Sequence, residues 1–438
     1  FLGQLDASIA SLALPTLEQE FHVPVSAVEW VSIAYLVTLA SLVVVFGRVA
    51  DMAGRKPFYT LGFVVFIAGS ALCGAAGGLE WLLAARVLQG AGAAMLQANS
   101  VALITRVVAK HELGRALGIQ TAAQAIGLSV GPAVGGVIIS VLDWRWVFYI
   151  AVPAGLLGAV MGQLALPAPR PRPTGQRFDW AGAVTFAPAV AALMYALSVS
   201  NGQAALLAVA ATAAFTGLFL LVESRSAAPL VDLALFRSGV FSLGLLSGLA
   251  AYALMFGVLF LVPFFLERVW STGPAQTGLL MTAIPVGLAL ASPLSGLYAD
   301  RGGLRLLTTA GMLLALAGVA LLAPLDRDTG PVLLLVGALA AVGAGVGLFL
   351  PANNSAVMGA VPEARLGVGS GMLNMTRGLG TALGVAVTGA MLLSRLSAQA
   401  GEVVLGTEGL RRGVLIAGFR ETLVFLGALA LAALVVAV

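Results

Sequence analysis

Residues 47–56 read GRVADMAGRK and residues 296–305 read GLYADRGGLR. Each follows an apolar run and precedes another, and Gly47 stands 249 residues before Gly296, as Asp51 does before Asp300. A short Gly/Asp/Arg loop recurring at the same point of two hydrophobic series implies two related halves. In the first copy Gly47 and Gly54 allow tight turns, while Asp51, Arg55 and Lys56 gather charge where helices emerge from the apolar layer. In the second, Asp300 and Arg301 occupy the equivalent place. Such a cluster either holds one mouth of the protein closed or serves only as a turn with topology charges. The second copy favours the gate.

The flanking runs set the solvent. Of 438 residues 60% are hydrophobic and 10% charged, against about a quarter charged in soluble domains. The chain therefore reads as an all-α polytopic membrane protein. Its 54 glycines and 19 prolines suit helices that approach closely and break to line cavities. Apolar spans of bilayer length fall at about 1–19, 28–47, 58–77, 80–106, 114–141, 145–166, 179–198, 204–222, 239–266, 276–298, 306–324, 331–358, 367–394 and 419–438. Fourteen spans leave two beyond a pair of six-helix bundles. The surplus is assigned to 179–222, between the proline-rich PAPRPRPTGQRF (167–178) and ESRSAAPLVDLALFRS (223–238). The expected units are a bundle at 1–166, linkers with two extra helices at 167–238, and a bundle at 239–438 with an external hairpin near 395–418.

Arginines and lysines concentrate in alternate loops, which places both termini in the cytoplasm. Arg395, Arg411 and Arg412 in the last loop run mildly against that bias. The net charge of +4 is spread over short loops and forms no nucleic-acid footprint. Cys73 is the single cysteine, so neither an intrachain disulfide nor a thiolate cluster is expected. His22 and His111 fall in predicted loops. No cleavable signal peptide is expected, because further spans follow the apolar start at once. The expectations are no cofactor, no metal, a monomer, and the cell membrane as location.

Charges inside the spans carry the chemistry. Asp6 is the only charge in FLGQLDASIASLALP (1–15). An acid at membrane depth costs several kcal/mol and so marks either a function or a side chain reaching for the interface. Because desolvation penalises its charged form, reversible protonation is the favoured role. RVLQGAGAAMLQANS (86–100) sets Arg86, Gln89, Ala93, Gln97 and Ser100 on one helix face. Arg86 is always charged and needs a partner or water. In QTAAQAIGLSVGPAVGGVI (120–138), Gly127, Gly131 and Gly135 form a ridge for a neighbouring helix and Pro132 bends it, while Gln120 and Gln124 continue the stripe. Asn374, Arg377 and Thr381 share one face of the thirteenth span, and Asn353 and Asn354 lie near Pro351 in the twelfth. Glu223 and Glu267 read as interfacial, and Met255, Phe256, Phe260, Phe264 and Met281 as pocket lining or as lipid-facing filler.

LDASIASLALP (5–15), GRVADMAGRK (47–56), RVLQGAGAA (86–94), GLSVGPAVGG (127–136) and DWRWVFYIAVPAG (143–155) resemble the signature segments of the fourteen-helix drug/proton antiporters of the major facilitator superfamily, the EmrB/QacA-type branch. The resemblance spans nearly the whole chain. It implies that Gly127, Gly131, Pro132, Gly135 and Gly136 form the antiporter motif, that Arg86, Gln89 and Gly90 form the proton-relay motif, and that Asp6 is the first-helix acid. It further implies proton-coupled efflux of lipophilic, often cationic compounds, with Gln89, Gln97, Gln120, Gln124, Asn353, Asn354, Asn374 and Arg377 lining the substrate cavity. The sequence departs in the thirteenth span, where Asn374 and Arg377 stand in place of the acids some members carry. That departure bears on proton number and on a preference for divalent cations. Export of an endogenous lipid or secondary metabolite fits the same motifs, and a proton-coupled uptake symporter fits less well. A membrane enzyme fits least, since no nucleophile motif, phosphate loop or ligand cluster is present.

Overall fold

The computed structural model describes residues 2–107, 113–166, 179–198, 202–226, 229–230, 233–299, 304–325, 331–362, 366–401, 403–404, 406–407 and 410–437. These hold sixteen α-helices: α1 Leu2–Phe21, α2 Val25–Ala53, α3 Arg55–Gly74, α4 Leu79–Val107, α5 Leu113–Val141, α6 Trp146–Tyr149, α7 Ala151–Ala165, α8 Trp180–Ser198, α9 Gly202–Arg225, α10 Gly239–Arg268, α11 Pro274–Met281, α12 Ala283–Ala299, α13 Leu304–Leu322, α14 Val332–Gly359, α15 Leu366–Ala400 and α16 Arg412–Ala437. No strand occurs among the described residues. A backbone that meets its hydrogen bonds within one segment is what a bilayer requires. Ten helical segments are long and apolar enough to cross one. Helices α1 and α4 are not among the ten, and both carry charge: Asp6, Glu18 and Glu20 on the first, Glu80, Arg86 and Arg106 on the second.

Two expected spans are each split in two, and proline explains both breaks. Helix α6 ends at Tyr149 and α11 at Met281, each four residues before a proline, Pro153 and Pro285. Proline has no N–H to bond the carbonyl four positions back, and its ring crowds that carbonyl. The hairpin expected at 395–418 is shorter than read. Helix α15 runs to Ala400 and α16 starts at Arg412, so only 401–411 lie between them. At 35 residues α15 is about 52 Å long, well beyond the hydrocarbon layer. Arg395, which ran against the charge bias, lies within it and pairs with Glu421 of α16 at 3.4 Å.

The same packing plan appears twice. Helix α4 packs on α2 and α3, α5 on α1, and α7 on α3; likewise α14 packs on α12 and α13, α15 on α10, and α16 on α13. The 47–56 segment, read as a loop, is helical on both sides of Gly54, where α2 gives way to α3; the second copy starts in α12 and ends in α13, with 300–303 outside the described residues. A seam where α2 meets α15, and α5 meets α11 and α12, joins the two sets. Helix α8 packs on both α2 and α15, and α9 packs on α8. Small residues allow these approaches. A Cβ at Gly343 of α14 would lie 2.6 Å from the carbonyl carbon and 2.9 Å from the Cα of Ile284, and one at Gly136 of α5 would lie 2.6 Å from the Pro274 oxygen across the seam.

Gly343→Ala is predicted to destabilise the protein by about 1–3 kcal/mol, because the obstructing atoms are backbone and cannot yield. Gly337→Ala, on the same helix with nothing within 4 Å, should leave the Tm unchanged or slightly higher. Thermal unfolding in detergent compares the two.

Candidate functional site

Glycines set the stage for the central polar cluster. A Cβ at Gly69 of α3 would lie 2.6 Å from the backbone N and Cα of Gln89, and one at Gly90 of α4 would lie 2.7 Å from the Tyr35 oxygen of α2. On the opposite flank Gly131 of α5 faces Ser8 and Leu5 of α1. Three helices, α2, α3 and α5, thereby crowd α1 and α4 within one turn of Asp6 and Arg86.

Arg86 is fully buried and Asp6 nearly so. Arg86 Nη1 donates to Asp6 Oδ2 at 2.6 Å and to Gln89 Oε1 at 2.6 Å, and Arg86 Nε donates to the Val31 carbonyl at 2.7 Å. Gln89 Nε2 donates to Asp6 Oδ1 at 2.7 Å and to Ser70 Oγ at 2.8 Å, and Ser70 in turn donates to the Phe66 carbonyl at 2.8 Å. Cys73 Sγ lies 3.7 Å from Gln89 Oε1. The guanidinium also sits over the Tyr35 ring at 4.3 Å and the Phe148 ring at 5.6 Å. Both carboxylate oxygens of Asp6 thus accept a bond, one from a cation and one from an amide. This is the hydrogen bonding a buried charge needs.

A cavity of ≈ 10 Å³ adjoins Arg86, lined by Ala7, Ser32, Tyr35 and Leu36 from one set of helices and by Phe256, Leu259 and Val385 from the other. That is about the space of a single water. Contacts cross the seam on either side of the cavity. Toward the end marked by His22, Arg268 Nη2 of α10 meets Glu18 Oε2 of α1 at 3.2 Å. Toward the end marked by Gly54, Arg377 of α15 donates to Gln124 Oε1 of α5 at 2.8 Å and to Asn374 Oδ1 at 3.0 Å. With its amide oxygen turned to the guanidinium, Gln97 of α4 accepts from Arg377 Nε at 3.0 Å. Tyr252 of α10 bonds both Arg377 and Asn354.

The remaining expected residues are dispersed. Gln120 donates to Ser100 Oγ at 2.9 Å. Asn353 is buried between α10 and α14, donating to the Gly244 carbonyl at 2.9 Å and accepting from Ser247 at 3.3 Å, away from the cavity lining. Gly135 faces Ile9 and Leu12 of α1, Gly127 is buried, and α5 runs unbroken through Pro132, whose side chain lies outside the described ones. Gly47 is in ordinary contact with Ala98. Gly54 adopts φ 97°, which only glycine holds without strain. Lys56 Nζ caps the end of α7 through the Gln163 and Leu166 carbonyls at 2.9 and 2.6 Å. Arg55 is half-buried. The Asp51 side chain and all of Asp300 and Arg301 lie outside the described residues. Glu223, read as interfacial, is buried beside Gly182 at the start of α8. Sequence reasoning did not single out Ser70, Tyr35, Tyr252, Glu18 or Glu29. The first three are ordinary polar breaks in apolar runs, and both acids sit at span edges where an interfacial reading comes first.

The profile of the Major Facilitator Superfamily matches residues 1–269 and 244–438. The chain belongs to the Major Facilitator Superfamily. This facilitator is 32% identical over 389 residues to the riboflavin transporter RibZ of Clostridioides difficile (strain 630), covering 88% of this chain and 84% of that one. It is 33% identical over 404 residues to the multidrug resistance protein Stp of Mycobacterium tuberculosis, covering 91% and 75%, and 29% identical over 403 residues to the multidrug transporter protein MdtP of Bacillus subtilis (strain 168), covering 90% and 74%. Its fold is shared with an inward-facing, occupied bacterial homologue of the human lysosomal transporter Spinster, at TM-score 0.68 and 16% identity with 100% and 93% of the chains covered. The human organic anion transporter MFSD10 superposes at TM-score 0.64 and 17% identity, with 100% and 97% covered. The protein is a multi-pass membrane transporter and not an enzyme.

Removing one member of the Asp6–Arg86 pair strands the other charge. Asp6→Leu or Arg86→Leu alone should cost about 3–5 kcal/mol, and the double variant markedly less than the sum. A double-mutant cycle on thermal unfolding measures the coupling, and strict additivity would show that the pair carries none.

Proposed function

We propose that this facilitator is a proton-coupled efflux antiporter of the fourteen-helix EmrB/QacA-type branch, exporting lipophilic and often cationic compounds by alternating access. The observation that carries the reading is the Asp6–Arg86–Gln89 cluster, buried in the first bundle and opening by Arg86 onto the cavity between the two sets of helices. Relatives named for multidrug resistance and transport support export. Fourteen crossings follow when α6 with α7, and α11 with α12, each count as one broken span. With both termini in the cytoplasm, the His22 end is external and the Gly54 end internal. The chain sits in the cell membrane and works as a monomer.

Helices α1–α7 and α10–α16 are the two rocking bodies. The Glu18–Arg268 contact latches the external side, and the Arg377 network with Gln97 and Gln124 latches the internal side. The repeated loops, with Asp51, Arg55 and Lys56 in one and Asp300 and Arg301 in the other, act as internal gates. The Gly127–Gly136 ridge is the surface on which α5 slides against α1 and α11. In the cycle, substrate enters from the cytoplasm or inner leaflet as Asp6 gives up its proton, and the bundles rock outward. A proton returning to Asp6 from outside weakens the hold on a cationic substrate and releases it. The membrane potential adds about 2.3 kcal/mol per inward charge per 100 mV. Asn374, Arg377 and Asn354 line the internal half of the route.

A second reading, transport of one endogenous metabolite, is favoured by the relative named as a riboflavin transporter. Both readings share the proton step and differ in substrate range.

In inverted vesicles, wild-type protein should accumulate a lipophilic cation when the lumen is acidified, and a protonophore should abolish this. Asp6→Asn should lose the gradient-driven part while still binding substrate. Full proton-driven accumulation by Asp6→Asn would refute the assignment.

A further inference from the structure

A second buried acid lies on the external side of the seam. Glu29 of α2 is 1% exposed. Its Oε1 has no hydrogen-bond partner among the described residues. The carboxyl fills the space left by a glycine of the opposite bundle, since a Cβ on Gly389 of α15 would collide with both carboxyl oxygens. One turn further in, Ser32 of α2 and Val385 of α15 line the cavity against Arg86, and Ser32 Oγ and Arg86 Nη2 are likewise buried without a partner. Unpartnered polar atoms therefore step from Glu29 through Ser32 to the cavity beside Asp6 and Arg86.

Charges on every element packed against α2 are engaged or distant. On α1, Asp6 holds Arg86, Glu18 holds Arg268, and Glu20 lies 3.8 Å from Arg145. On α4 there are Arg86, Glu80 at its exposed start and Arg106 at the opposite end. On α15, Arg377 is held by Gln124 and Asn374, and Arg395 by Glu421. Arg55, Lys56 and Tyr59 of α3 belong to the opposite end. Tyr195 of α8 stacks on Trp30, with ring centroids 6.0 Å apart. Among the described residues no cation is paired with Glu29, and a bare carboxylate in a dry seam is among the costliest groups to bury. In the closed seam the group is tolerated as the neutral acid.

We propose that Glu29 is a second proton-binding site of the transport cycle, whose carboxyl must carry a proton for α2 and α15 to close on the external side. Opening the seam hydrates the carboxyl and lets it ionise, so external pH biases the outward gate. Ser32 and a water in the cavity connect it to the Asp6 cluster. This rests on the alternating-access reading above, but its test needs no transport and no substrate.

Spin labels at His22→Cys and Ala398→Cys, exposed positions on the external ends of the two bundles, report that gate, while Cys73 is buried and escapes labelling. In substrate-free protein the long-distance population should grow between about pH 5 and about pH 9, by at most roughly tenfold per pH unit for one proton. Glu29→Gln, a neutral isostere, should hold the short distance throughout. Gly389→Ala, which wedges the carboxyl, should give the long distance even at low pH. A titration by Glu29→Gln like that of wild type, or no pH response in wild type, would overturn the proposal while leaving the Asp6 test in vesicles untouched.

Discussion

A buried pair of opposite charges, Asp6 and Arg86 at 2.6 Å, is the constraint from which the rest of this architecture follows. Neither ion is tolerable alone in an apolar bundle, and together they need most of their remaining donors and acceptors met, here all but Arg86 Nη2. Gln89 meets one carboxylate oxygen, Val31 accepts from Nε, and two aromatic rings receive the guanidinium. Those contacts require α2, α3 and α4 at backbone distance, which explains glycine at 69 and 90, and Gly131 lets α5 come as close to α1; at each a side chain would strike a neighbouring helix.

The second level is the seam. The two sets of helices meet through small residues, Gly136 against Pro274 and Gly378 against Ala40, so they approach closely with few directional bonds to hold them. Among the described residues, directional bonds that cross lie on either side of the cavity: Glu18 with Arg268, and Arg377 with Gln97 and Gln124. A smooth, glycine-rich interface latched at two ends is suited to rocking, because opening one side breaks one latch and leaves the packing of each set intact. The cavity between them has room for about one water.

Much of this was legible in the sequence. The recurring Gly/Asp/Arg loop and the hydropathy pattern gave two related helical series, and the packing plan repeats accordingly. Asp6, Arg86 and Gln89 stood out because charge and amide at membrane depth demand partners, and the three are each other's partners. Gln97 and Gln124 were placed on stripes of their own helices, and it is Arg377, from the opposite set, that joins them. Asn353 was misleading, since a polar residue near a helix-breaking proline serves equally well to tie two helices of one set. Glu29 and Glu18 went unsingled because an acid at a span edge looks solvated until the neighbouring helix is known. The breaks at 150 and 282 follow from Pro153 and Pro285, yet a hydropathy window averages over them.

The central claim is that a proton on Asp6 is exchanged for cargo, and proton release on binding tests it most directly. In weakly buffered detergent solution with a pH-sensitive dye, adding a lipophilic cationic substrate should release protons from the wild type and not from Asp6→Asn at matched saturation. Equal release from the two proteins would contradict the account.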